Sequence, residues 1–194
     1  MENIVRVFFD SIAKDWSNDL NDKQKVESLI DALGICEGDN VLDVGCGKGV
    51  ITPLLQRKSN RLVIAVDLSQ NMIDGAKSIY SDESKYKFIC KDFLDGEYKD
   101  RFDYIVIFNA YPHFMDVERL KGTVYKALKA NGHFAIIHSL SKEELNTHHK
   151  QHAMGVSRPL EAADIEAKKF EAQFEIEKCL DKSDSYLIIL KKSN

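Results

Sequence analysis

The sequence predicts an α/β fold, a doubly wound parallel sheet with helices on both faces and a helical cap before it. Three observations predict it. Apolar strand-length runs alternate with helix-period segments from about Asn40 onward. The run over 61–67 is unbroken rather than alternating, as in a strand covered on both faces. The first run, Val41-Leu42-Asp43-Val44, stops at a glycine-rich loop, Gly45-Cys46-Gly47-Lys48-Gly49, that opens the next helix.

Two helical segments open the chain. Residues 4–16 carry Val5, Phe8, Phe9 and Ile12 at helical spacing. The second segment starts near Asp22, sets Val26, Leu29, Ile30 and Leu33 on one face, and ends at Gly34 as its C-cap. After the glycine loop a helix holds Ile51, Leu54 and Leu55, and tolerates Pro53 only in its first turn. Residues 61–67 are the second strand, and Ser69 caps a helix whose Met72, Ile73 and Ala76 face inward. Residues 86–90 and 102–108 are the third and fourth strands. Asp116 caps a helix bearing Leu120, Val124 and Leu128, and the turn Lys129-Ala130-Asn131-Gly132 leads into a fifth strand over 133–138. Ser141-x-x-Glu144 is a capping box for a short polar helix. A helix over 161–170 precedes two strands, 174–180 and 186–190, joined by a tight polar turn. With no repeat and no linker, residues 1–194 are expected to form a single domain, with 1–38 as the helical cap and 39–194 as the core.

Composition narrows the function classes. A chain of 194 residues, 44% hydrophobic and 30% charged, suits a globular protein with a substantial core. Its apolar runs are strand-sized, too short to cross a bilayer. The start, Met1-Glu2-Asn3-Ile4-Val5-Arg6, lacks the charged and apolar regions of a secretory leader. Cys36, Cys46, Cys90 and Cys179 form no C-x-x-C pair, which argues against a disulfide framework or zinc knuckle and fits a reducing cytoplasm. A net charge of −4 gives no basic footprint for nucleic acid. Neither a nucleic acid nor a membrane is expected as partner, and the oligomeric state stays open.

The glycine loop raises the question of its ligand. A dinucleotide fingerprint, G-x-G-x-x-G, calls for glycine where this chain has Val50, and does not ask for an acid two residues before the first glycine. A nicotinamide-dependent dehydrogenase is disfavoured on both counts. Asp67 ends the second strand, at roughly the twenty-residue offset where an acid meets ribose hydroxyls in nucleotide-binding α/β folds. Asp92-Phe93 follows the third strand, where a carboxylate can accept from an exocyclic amine and an aromatic ring can lie on a base. These polar residues fall at strand C-terminal ends, along the crevice where open α/β sheets bind ligands.

Asp43-x-Gly45-x-Gly47-x-Gly49 resembles motif I of the class I S-adenosylmethionine (SAM)-dependent methyltransferases. The likeness is near the branch that includes the ubiquinone and menaquinone C-methyltransferases and many small-molecule methyltransferases. It runs from Phe8-Phe9-Asp10-Ser11-Ile12-Ala13-Lys14-Asp15-Trp16 through the C-terminal strand pair, and includes Val66-Asp67-Leu68-Ser69, Lys91-Asp92-Phe93 and Leu128-Lys129-Ala130-Asn131-Gly132. The last of these differs from the family's Leu-Lys-Pro-Gly-Gly at a turn. The resemblance implies a Rossmann-like sheet of seven strands with the last antiparallel, SAM as cofactor and S-adenosylhomocysteine as product. It implies that Asp43, Gly45 and Gly47 hold the methionine end, Asp67 and Leu68 the ribose side, and Asp92 and Phe93 the adenine, with Asn109 beside the sulfonium. Cys46 and Met72 complete the implied cofactor set. The expected activity is methyl transfer to a small-molecule acceptor; the alternatives are an RNA methyltransferase and a non-catalytic SAM-binding regulatory protein.

A base is required only where the acceptor must lose a proton, which draws attention to the six histidines. His113 follows the fourth strand, His138 ends the fifth, and His148, His149 and His152 lie in the next segment; these five are expected near the substrate mouth. Three readings stand: surface or packed residues, His138 or His113 as base or orienting group, or a metal pair at His148 and His152, for which no nearby acid completes a motif. Cys46 reads as a small residue that fits the loop or a reactive thiol, and Trp16 as a lid or a packing residue. Asn109-Ala110-Tyr111-Pro112 does not match the Asn/Asp-Pro-Pro-Tyr motif of amino-methyltransferases.

Overall fold

In a computed structural model, which describes residues 3–20 and 22–193, strands and helices alternate from residue 41 onward. Met1 and Glu2, part of the N-terminal stretch considered above, lie outside the described residues. The strands are β1 (Val41–Val44), β2 (Val63–Asp67), β3 (Tyr86–Cys90), β4 (Phe102–Phe108), β5 (Leu128–His138), β6 (Phe174–Asp181) and β7 (Tyr186–Lys192). The helices are α1 (Ile4–Ile12), α2 (Lys23–Asp31), α3 (Thr52–Ser59), α4 (Gln70–Ile79), α5 (Val117–Ala127), α6 (Lys142–His152) and α7 (Ala163–Lys168). One sheet takes the order β3-β2-β1-β4-β5-β7-β6. The first five strands run parallel, and β7 is antiparallel to both β5 and β6. The last strand is therefore the reversed one, as the resemblance implied.

Side-chain alternation sorts the strands into two cores. Leu42, Val44, Ile64, Val66, Ile105, Ile107, Phe134 and Ile136 pack on one face against Leu120 and Val124 of α5 and Ala163 and Ala167 of α7. Val41, Val63, Val106, Ala135, Ile137 and Ile189 pack on the other against Val26, Leu29 and Ile30 of α2 and Leu54 and Leu55 of α3. Each such aliphatic side chain contributes about 1.5–3 kcal/mol by leaving water. The period-2 split and these two helical layers fix which strand residues reach the C-terminal crevice.

Local signals hold where expected. Asp22, Ser69, Asp116 and Ser141 each accept a backbone N–H at a helix start, and Ser141 with Glu144 forms the full capping box. Pro53 sits in the first turn of α3. Three elements differ from expectation. The first helix ends at Ile12 and continues as a 3-10 turn over Ala13–Asp15. The turn at 129–132 is absorbed into β5, whose register jumps from Phe102↔Leu128 to Tyr104↔His133 while Asn131 takes a φ of 61°. The helix before β6 spans only Ala163–Lys168.

The N-terminal segment is held to the core mainly by polar contacts. No residue of α1 is buried. Asp10 Oδ1 accepts from Ser69 Oγ at 2.6 Å and from the Asn71 N–H at 3.2 Å, and Lys48 Nζ donates to the Trp16 carbonyl at 2.7 Å. Asn18 Nδ2 donates to the Tyr80 hydroxyl at 3.0 Å. A segment with few buried apolar contacts is one that opens at low cost.

Candidate active site

A cavity of about 950 Å³ opens at the C-terminal ends of β1, β2, β3 and β4, where the sheet reverses its strand order. The loop after β1 forms one wall. Gly45 and Gly47 take φ values of 68° and 52°, in the left-handed region that favours glycine. A Cβ on Gly45 would stand 2.8 Å from the Ala110 methyl, so the loop approaches the β4 turn only without a side chain. A Cβ on Gly47 would meet nothing within 4 Å, which leaves that backbone open to the cavity.

Asp67 closes this wall from β2. Its Oδ2 accepts the Gly47 N–H at 2.8 Å and its Oδ1 accepts the Ser69 N–H at 2.9 Å. Burial raises its pKa, and the two N–H donors pull it back. Each oxygen retains a further lone pair for a ligand hydroxyl. Asp43 is 1% exposed and does not itself line the cavity. Its Oδ2 accepts from Thr52 Oγ1 at 2.6 Å, and its Oδ1 is buried with no partner among the described residues. Burial pushes its pKa up to about 7, the Thr52 hydrogen bond opposing and the Asp67 charge adding.

The remaining residues expected at the cofactor fall on the same cavity: Cys46, Leu68, Met72, Asp92, Phe93 and Asn109 all line it. The Cys46 thiol is pushed far up by burial and then by the Asp43 and Asp67 charges, so it stays protonated and unreactive. Asp92 Oδ1 accepts the Leu94 N–H at 2.9 Å, and the Phe93 ring stacks on Tyr98 with centroids 5.4 Å apart. Asn109, at a φ of 53°, fastens β4 to β5: its Oδ1 accepts the Ser139 N–H at 2.9 Å and its Nδ2 donates to Ser139 Oγ at 3.0 Å.

The histidines separate. His113 and His148 line the cavity. His113 Nδ1 lies 2.8 Å from the Val156 carbonyl. A carbonyl only accepts, so Nδ1 carries the proton and Nε2 is the basic nitrogen. Burial lowers the His113 pKa, which keeps the ring neutral near pH 7. Its ring packs edge-on against Phe9 at 4.8 Å and beside His149 at 5.0 Å. His138 is placed differently from expectation. It shares the β5 face of Phe134 and Ile136, is wholly buried against Tyr186, does not line the cavity, and leaves both ring nitrogens without a partner among the described residues. Burial pushes its pKa down to about 3, with His149 and His113 adding to the effect. A group walled off in this way touches no reacting atom. The His148 and His152 rings lie 4.8 Å apart, and among the described residues no group of three His, Cys, Asp or Glu converges to hold a metal. Trp16 lines the cavity beside Phe9, their rings 6.0 Å apart.

Sequence reasoning missed a buried ionic network behind His113. Arg158 meets Glu166 through two nitrogens, Nη1–Oε1 at 2.7 Å and Nη2–Oε2 at 3.2 Å, and the Tyr111 hydroxyl donates to Glu166 Oε2 at 2.8 Å. Burial alone would raise the Glu166 pKa; Arg158 and Tyr111 reverse this and hold it at about 2. The signal was present: Glu166 falls between Ala163 and Ala167 on the buried face of α7, and a charge on an apolar face requires a partner.

Comparison with known proteins places this geometry. Residues 41–132 match a methyltransferase-domain family. A malonyl-[acyl-carrier protein] O-methyltransferase of Acetivibrio thermocellus is 27% identical over 68% of this chain and 47% of its own length. The chain spans about half the length of the curated relatives it matches. Among solved structures, a chain of the complex between the Haloferax volcanii Trm112 methyltransferase activator and a methyltransferase superposes with a TM-score of 0.80 at 18% identity, covering 96% of this chain and 98% of that one. A magnesium protoporphyrin IX methyltransferase from Synechocystis PCC 6803 with bound S-adenosylhomocysteine gives a TM-score of 0.68 at 18% identity and 98% coverage of both chains. No described helix is long and apolar enough to cross a membrane. The matched methyltransferase domain, the strand order and the glycine loop agree in supporting a class I SAM-dependent methyltransferase.

Proposed function

We propose that this chain catalyses methyl transfer from SAM to a small-molecule acceptor, with His113 taking the acceptor's proton. One observation carries the reading: a single cavity holds the Gly45–Gly47 loop, Asp67 and Asp92 on one side and the His113 ring on the other. The residues present fit the cofactor. The Gly47 backbone is open and Asp67 keeps acceptor capacity beyond its two N–H donors, while Asp43, held by Thr52 behind the cavity wall, backs the glycine loop. Gly45, Cys46 and Gly47 are assigned to the methionine end, with Asp43 behind them as support rather than as a contact, Asp67 and Leu68 to the ribose, and Asp92, Phe93 and Met72 to the adenine, with Asn109 near the sulfonium. When bound, SAM supplies a methyl carbon activated by a positively charged sulfur leaving group.

The chain's own residues then bind, orient and exclude water. Ligand pockets for a drug-sized molecule run on the order of 300–1,000 Å³, so a cavity of about 950 Å³ accommodates a second small molecule beside the cofactor. Phe9, Phe114, Met115 and Leu140 give that second part an apolar lining. Alignment of two reactants in such a site contributes roughly 7–11 kcal/mol to lowering the barrier. His113, neutral at pH 7 with Nε2 unprotonated, accepts a proton from a hydroxyl, amine or thiol acceptor. The N-terminal segment, with Trp16 on the cavity wall, serves as the lid that opens for exchange. Residues 1–194 act as one domain, and the four free cysteines suit the cytoplasm.

The test is an acceptor screen that reads S-adenosylhomocysteine release, run with the wild type and His113→Gln. Turnover of a small protic acceptor by the wild type, lost in the variant while SAM still binds, supports the reading. Equal turnover by both proteins removes His113 from the reaction.

A further inference from the structure

We infer that Arg158 and Glu166, with Tyr111, form a positioning unit that sets the orientation and tautomer of His113. The inference rests on the assignment of His113 to the acceptor side of the cavity. Tyr111, Pro112 and His113 form one 3-10 turn after β4, and each of the three is held from behind, Tyr111 by α7 and Pro112 and His113 by the stretch of chain that precedes it. The Tyr111 hydroxyl donates to Glu166 Oε2 at 2.8 Å. The Pro112 carbonyl accepts the Arg158 N–H at 3.0 Å. His113 Nδ1 donates to the Val156 carbonyl at 2.8 Å, two residues before Arg158.

The stretch that carries Val156 and Arg158 is not a helix or strand of its own, so its position depends on side-chain anchors. Arg158 supplies the anchor nearest the turn, and Asn146 holds Leu160 further along, accepting its N–H at 2.8 Å and donating to its carbonyl at 2.9 Å. The Arg158 guanidinium lies 4.5 Å over the Tyr111 ring and forks onto both oxygens of Glu166. Glu166, wholly buried on α7, also accepts the Glu161 N–H at 3.1 Å and lies 3.1 Å from Lys169 Nζ. A planar fork on a carboxylate fixes direction as well as distance. The α7 carboxylate thus holds Arg158, Arg158 holds the Val156 carbonyl and the Pro112 turn, and the carbonyl keeps the proton on Nδ1. Nε2 is left as the basic nitrogen of a ring that lines the cavity. Val156, Arg158 and Glu166 lie outside the matched family region of 41–132, whereas the Tyr111–His113 turn they hold lies inside it.

The histidine side-chain nitrogens of the full chain, saturated with S-adenosylhomocysteine, are read by long-range proton–nitrogen NMR, with His113 assigned by its loss in His113→Gln. The wild type is expected in the Nδ1–H form. In Arg158→Gln that form falls to a minority, Arg158→Lys restores part of it, and affinity for S-adenosylhomocysteine stays within twofold. A role in packing alone lowers the melting temperature and leaves the tautomer unchanged, and that result in folded Arg158→Gln overturns the inference. Should Arg158→Gln fail to fold, Tyr111→Phe decides, since it removes one hydrogen bond and keeps the ion pair. A mixed tautomer there supports the inference, and an unchanged one overturns it. Failure of the wild type to bind S-adenosylhomocysteine speaks against the cofactor assignment instead, and the tautomer is then read in the ligand-free protein.

Discussion

Asp67 Oδ2 and the Gly47 N–H are joined at 2.8 Å, which ties the end of β2 to the loop that follows β1. The carboxylate thereby shapes the cavity wall and offers its remaining lone pairs to the ligand. Asp67→Ala is expected to weaken SAM binding by about 1.5–3 kcal/mol, the range for hydrogen bonds to a charged acceptor. Titration calorimetry measures it directly, and unchanged affinity removes Asp67 from the ribose site.

Asp43 couples stability to the cofactor. Its folded pKa, about 7 against 3.8 unfolded, means that keeping it ionised costs stability increasingly as pH rises from about 4 to 7. Asp43→Asn keeps an acceptor for Thr52 and removes that cost. The variant is expected to be more stable than wild type by about 2–4 kcal/mol at pH 8, less at pH 5, and weaker in SAM affinity. Urea unfolding at the two pH values is the check; an equal difference at both contradicts the buried-carboxylate account.

His138 has the opposite sign. The unfolded chain takes up a proton there below about pH 6.5, and the folded chain refuses it until about pH 3. Its contribution is intact above pH 6.5 and shrinks as the pH falls. Because Asp43 shifts the other way, the clean comparison is wild type against His138→Leu. Relative to that variant, wild type is expected to lose about 3 kcal/mol between pH 7 and 4.5. A constant difference across that range shows that His138 is solvated or paired.

His113→Gln is expected to lower kcat on an identified protic acceptor by roughly 10²–10⁴-fold and leave S-adenosylhomocysteine affinity unchanged. A fall in affinity with kcat preserved contradicts the base assignment.

Much of this was legible in the sequence because local rules and tertiary demands agree. β1, β3 and β4 begin and end where their apolar runs do, and Gly45 and Gly47 announce a close backbone approach. The inward turn of His138 was legible too, in the alternation Phe134-x-Ile136-x-His138, which aligns it with two core residues. What pattern could not supply was the pairing of Arg158 with Glu166. Both sit beyond the glycine-loop motifs, and their partner Tyr111 is 55 positions from Glu166. Such contacts depend on how α7 lies against the sheet, which no local period encodes.

The central claim, a SAM site in the β1 loop cavity, is tested most directly by a thermal-shift panel of SAM, S-adenosylhomocysteine, NADH and NADPH. A ligand at a hundred times its dissociation constant stabilises by about 2.7 kcal/mol, a rise of roughly 5–10 °C for a chain of this size. Stabilisation by the two sulfur nucleotides alone is the predicted result. Stabilisation by NADH or NADPH alone contradicts it.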